Sequence, residues 1–146
     1  MNGGRHPLPQ REAVARWLGS LGVLNGMQIV VYDRNKGHYC GRLWWMLKWL
    51  GHDAVAVLDG GLQAWEAAGG ALASGAASLG STAHFELKAP LRDLLLTEQV
   101  SAHLGQPAQT IVDARAGARH RGEVEPLDPV AGHIPGALNR PFTENF

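Results

Sequence analysis

The sequence holds one cysteine, Cys40, among 146 residues. A lone thiol excludes an intrachain disulfide framework and fits a reducing, cytoplasmic compartment. Excess charge is also missing. Thirteen Lys and Arg balance thirteen Asp and Glu, so the formal net charge is zero. Nothing electrostatic points to nucleic acid or to an anionic membrane surface. No charged-then-apolar segment opens the sequence, so no secretory leader is expected. The most apolar helical stretch, Leu43–Leu50, is interrupted by Lys48 and is too short to cross a bilayer. Gly60-Gly61 belongs to no GxGxxG pattern and has no Lys-Ser/Thr partner, which argues against nucleotide phosphate binding. The seven histidines lack metal-ligand spacing. No metal is therefore expected.

What is present suits a globular chain with a core. Hydrophobic residues make up 45% and charged residues 18%, which excludes disorder. The chain is organised around Gln28–Trp65, QIVVYDRNKGHYCGRLWWMLKWLGHDAVAVLDGGLQAW. Gln28–Tyr32 is a β-branched run of strand length. Asp33–Gly37 breaks it with polar residues. Tyr39–Leu50 is helix-compatible and ends at Gly51, a C′ glycine. Ala54–Leu58 is a second strand, Asp59-Gly60-Gly61 a turn, and Leu62–Ala68 a short helix. This order predicts a βαβ unit with parallel strands. Its first loop leaves the carboxyl end of a strand, where open α/β sheets place ligand sites.

Upstream, Arg11–Leu21 has helical spacing at Val14, Leu18 and Leu21, closed by Gly22. Downstream, Gly69–Ser81 is rich in Gly, Ala and Ser and reads as a linker. His84–Pro90 reads as extended and Leu94–Leu104 as a helix. Thr110–Asp113 reads as a strand, Ala114–Gly132 as a long polar loop, and Ala137–Arg140 as a short extended piece.

Two stretches carry a family likeness. VVYD…GRLWWMLKWLGH…AVLDGGLQAW resembles the second half of a rhodanese domain, in detail the first, non-catalytic domain of the two-domain sulfurtransferases. GRHPLPQ resembles the segment leading into that half. TIVDARAGARHRGEVEPLDPVAGHIPGALNRPF resembles the opening of the second, catalytic domain. The likeness implies 1–69 as the second half of one domain, 70–108 as an inter-domain linker with one helix, and 109–146 as the start of the next. The expected fold class is α/β: a rhodanese-like parallel sheet flanked by helices, incomplete or assembled from two half-domains in permuted order. The permuted arrangement predicts that Thr110–Asp113 shares a sheet with Gln28–Tyr32.

The same likeness implies a chemistry. Family members take sulfane sulfur from thiosulfate or 3-mercaptopyruvate onto a cysteine and pass it to cyanide or another thiophilic acceptor. The nucleophile stands where Asp33 stands here, and a carboxylate forms no persulfide. The catalytic cysteine of the second domain is implied beyond Phe146, so this chain is expected to be inactive. The rival expectation is a non-catalytic rhodanese-like module that binds anions or partners. A phosphatase of related fold needs a Cys-x5-Arg loop, which Asp33–Arg42 does not supply.

The candidate residues each have a bland alternative. Asp33 reads first as a turn or cap residue. Cys40 lies in the wrong register for the sulfur cradle and reads as a small buried residue. Arg119 aligns with the family arginine that grips the anionic donor, using the bidentate guanidinium fork. It reads equally as a solvated loop charge or a structural partner of Glu123, Glu125 or Asp128; Arg115 and Arg121 flank it in DARAGARHRG. Mercaptopyruvate-type relatives often add a second arginine in this loop, and EVEPLDPVAGH has none, which leans toward thiosulfate. His133 in GHIPGA reads as a structural hydrogen-bonding histidine. Trp44, Trp45 and Trp49 read in part as core. The expected ligand is a small anionic sulfur donor, and the sequence sets no oligomeric state.

Overall fold

The computed structural model describes residues 6–145. Gly4 and Arg5 of the GRHPLPQ stretch, and the terminal Phe146, lie outside the described residues. The chain divides into two compact units, Met1–Asp93 and Leu94–Phe146. The boundary falls within the 70–108 stretch.

The first unit contains α1 (Arg11–Ser20), β1 (Ile29–Val31), α2 (Gly41–Trp49), β2 (Val55–Val57) and α3 (Gly61–Ala67). β1 and β2 pair in parallel, with Ile29 opposite Val55 and Val31 opposite Val57. This is the βαβ unit that the periodicity predicts. Helix α1 ends at Gly22 and α2 at Gly51, both in the left-handed region that glycine enters without a Cβ clash. Val14, Ala15, Leu18, Val31, Leu47, Leu50, Val55 and Phe85 form the buried core. Leu47 and Leu50 are completely enclosed. Trp44 packs on this core, while Trp45 and Trp49 stack with centroids 5.5 Å apart. The Arg42 guanidinium donates to the carbonyls of His6 and Pro7, fastening the entering strand of chain to α2.

The extended stretch after the Gly/Ala/Ser-rich segment is part of this unit. Ala83 N–H donates to Gly19 O at 2.9 Å, and Lys88 N–H to Leu50 O at 3.1 Å. Phe85 is buried there against the His52 ring. One face of the β1–β2 pair remains open. Val30 and Tyr32 are about half exposed, and with Leu58, Leu62, Trp65 and Leu72 they line an apolar groove of about 560 Å³. Parallel strands usually have both faces covered.

The second unit contains α4 (Thr97–Ala102), β3 (Val112–Asp113), α5 (Gly117–His120) and β4 (Leu138–Asn139), then a 3-10 turn at Phe142–Glu144. β3 and β4 pair in parallel, Val112 opposite Leu138 and Asp113 opposite Asn139. The long loop is not wholly irregular, because α5 sits inside it.

The expectation of one sheet in permuted order is corrected here. The described residues form two separate two-stranded sheets, β1–β2 and β3–β4. Each strand finds its neighbour across a crossover of a few tens of residues within its own unit. Closing the longer loop from Thr110–Asp113 back to Gln28–Tyr32 costs more chain entropy before any ladder forms.

Candidate functional site

The loop after β1 is built around one carboxylate. Asp33 Oδ1 accepts the backbone N–H of Asn35 at 2.7 Å and of Gly37 at 2.8 Å. Its Oδ2 accepts the N–H of Tyr39 at 2.7 Å and of Cys40 at 2.9 Å. Successive amides can converge this way because Lys36 and Gly37 adopt positive φ, 59° and 94°. Partial burial pushes the Asp33 carboxyl up. The donors of Gly37, Tyr39, Asn35 and Cys40 outweigh it and bring the pKa down to about 2. The loop is therefore a backbone anion cradle, and the chain's own carboxylate fills it.

The double glycine explains how the cradle closes. Gly60 and Gly61 have φ of 69° and 62°. A Cβ on Gly61 would lie 2.7 Å from the Asp33 carbonyl oxygen. Without it, Leu62 N–H reaches that oxygen at 3.0 Å. Gln63 Nε2 donates to Arg34 O from the same helix. The start of α3 thus braces the loop.

Cys40 is the N-cap residue of α2 and is 8% exposed. Its amide serves the cradle, while its thiol points to Gly37 O at 3.5 Å. Burial, followed by the nearby Asp33 charge, pushes the thiol pKa up. A thiol with those neighbours is a poor nucleophile.

The loop after β3 in the second unit carries an ion-pair network. Arg115 grips Asp113 with Nε and Nη2 and also reaches Glu125 Oε2 at 3.3 Å. Arg119 meets Glu125 bidentately, Nε to Oε2 at 3.1 Å and Nη2 to Oε1 at 2.7 Å. Its Nη2 also donates to Asp128 Oδ2 at 2.9 Å. The Glu125 side chain is 5% exposed, and the Arg119 hydrogen bonds are the main cause holding its pKa down at about 2. The Arg115 hydrogen bonds hold the Asp113 carboxyl well below the usual range. Arg121 pairs with Glu123 on the surface. Asn139 Nδ2 donates to the carbonyls of Asp113 and Arg115, each at 2.9 Å, so β4 fixes the start of this loop. His133 Nδ1 donates to His120 O at 2.6 Å, and the two imidazoles stack 3.8 Å apart.

The structure thus brings Asp33 to Cys40 and draws Arg115 and Arg119 onto Glu125. The sequence reading named Glu125 and Asp128 as partners of Arg119 but missed Asp113 as the anchor of Arg115. The alternation of arginines and acids in DARAGARHRGEVEPLD was the available signal. Among the described residues no group of three or more His, Cys, Asp or Glu is placed to hold a metal ion.

Residues 1–68 match the rhodanese-like domain family. That stretch of the chain is rhodanese-like. The chain is 48% identical over 144 residues to a probable 3-mercaptopyruvate sulfurtransferase of Pseudomonas aeruginosa, covering 98% of this chain and 50% of that protein. It is 36% identical to the thiosulfate sulfurtransferase of Gallus gallus, covering 93% and 47%. Among solved structures, the 3-mercaptopyruvate sulfurtransferase from Leishmania major superposes with a TM-score of 0.79 at 38% identity, covering 95% of this chain and 38% of that one. The chain spans about half the length of the curated relatives it matches. The fold is a rhodanese-like α/β fold with small parallel sheets and helices. No described helix is long and apolar enough to cross a membrane.

Proposed function

We propose that this chain is the central part of a sulfurtransferase that moves sulfane sulfur from thiosulfate or 3-mercaptopyruvate to a thiophilic acceptor. In that reading a cysteine thiolate outside this sequence attacks the outer sulfur of thiosulfate. The S–S bond breaks, sulfite leaves with the electron pair, and a persulfide forms. Cyanide or a thiol then takes the outer sulfur and restores the thiolate. No metal or organic cofactor enters these steps.

Each unit has a part. The first is a non-catalytic module whose cradle is filled by Asp33. The observation that supports this is the set of four backbone N–H groups bonded to its carboxylate, which commits those donors to the chain's own anion. The second presents Arg119 to the donor's sulfonate or carboxylate, with Glu125 holding the guanidinium in place. The names of the similar proteins include both donors. The test is donor binding to the chain by amide NMR. Thiosulfate is expected to shift the 113–133 loop saturably, and Arg119→Gln to abolish the shift. Shifts confined to 33–40, or unaffected by Arg119→Gln, would contradict the reading.

A further inference from the structure

Arg119 is held by two carboxylates of different kinds. Glu125 contacts it through both oxygens, is nearly enclosed, and also accepts the N–H groups of Leu127 and Asp128, each at 3.1 Å. A bidentate, sheltered pair of this type is a scaffold. Asp128 meets Arg119 through one oxygen, and its side chain is 48% exposed. A surface contact of that type is weak and easily exchanged.

We propose that Asp128 is a specificity-determining residue: its carboxylate holds the place on Arg119 that an incoming anion takes, and its charge discriminates against dianions. The inference rests on the reading of Arg119 as the donor's anchor. Two guanidinium groups, Arg115 and Arg119, share three carboxylates, Asp113, Glu125 and Asp128. The cluster therefore carries one net negative charge before any ligand arrives. A ligand must displace Asp128 from Nη2 and then lie beside its charge. A dianion such as thiosulfate feels twice the repulsion that a monocarboxylate feels. Neutralising Asp128 removes both the competition and the repulsion, while Glu125 keeps the guanidinium in place.

The test uses the full chain with two probes, thiosulfate and pyruvate, titrated at low chloride and read by amide NMR of 113–133. Asp128→Asn should bind thiosulfate about two- to fivefold more tightly than wild type, the scale of an exposed ion pair. Pyruvate should gain less. The advantage should shrink as salt is raised. Asp128 is exposed enough for its variant to fold, and unchanged amide positions elsewhere confirm that it has. Equal or weaker thiosulfate binding by Asp128→Asn overturns the proposal, as does an equal gain for both anions. If Arg119→Gln abolishes binding in those cases, the reading of Arg119 stands and that of Asp128 falls. If Arg119→Gln binds thiosulfate like wild type, the Arg119 reading itself falls. Absence of saturable binding in both wild type and Asp128→Asn overturns both.

Discussion

Replacing Asp33 by Asn tests whether the carboxylate cradle holds the first unit together. A carboxyl lowered from 3.8 to about 2 prefers the folded cradle by roughly 2 kcal/mol when ionised. Asn35 and Tyr39 sit at an exposed rim, so solvent screens part of this, and about 1–2 kcal/mol is expected near pH 7. The variant keeps the size of the side chain but offers one acceptor oxygen to four donors. The sign follows from linkage. The folded pKa lies below the unfolded one, so the stabilisation is fully present above about pH 4 and is lost as pH falls through about 2. Wild type and Asp33→Asn should therefore differ most at neutral pH and converge between about pH 4 and 2. All five tryptophans, Trp17, Trp44, Trp45, Trp49 and Trp65, lie in the first unit. Urea unfolding followed by tryptophan fluorescence thus reports that unit. A neutral-pH difference below about 0.5 kcal/mol, or one that persists unchanged into acid, would refute the reasoning.

Other outcomes follow from the same geometry. Gly61→Ala places a methyl 2.7 Å from Asp33 O at positive φ and should cost about 2–3 kcal/mol in the same urea experiment; a neutral effect would mean that the loop is not braced by α3. Cys40 should react with a disulfide reagent at neutral pH far more slowly in native protein than in urea, because burial and the Asp33 charge raise its pKa; equal rates would contradict its placement. Leu47→Ala removes a completely enclosed side chain and should cost about 2–5 kcal/mol, which a small shift of the urea midpoint would exclude.

Much of this was legible in the residues. The alternation of β-branched runs with glycine-closed helical segments located all five elements of the first unit, because each has a local period and the three helices close near left-handed glycines, Gly22, Gly51 and Gly69. That a carboxylate follows β1 was readable from VVYD alone. That its four bonds come from Asn35, Gly37, Tyr39 and Cys40 was not, since backbone amides leave no signature in side-chain identity. Phe85 was likewise hidden: a lone aromatic in an unpatterned stretch carries no period, yet it enters the core of the first unit. Helix α5 was missed because Gly117–His120 is too short to show one. The single-sheet expectation failed because homology between half-domains does not set which strands pair. Proximity along the chain did.

Asp33 fills the loop after β1, and we propose that the chain for that reason carries no working nucleophile. The most direct measurement is thiocyanate formation from thiosulfate and cyanide by the purified chain, beside a Cys40→Ser control. No turnover above that control is expected. Thiocyanate production that Cys40→Ser abolishes would contradict it.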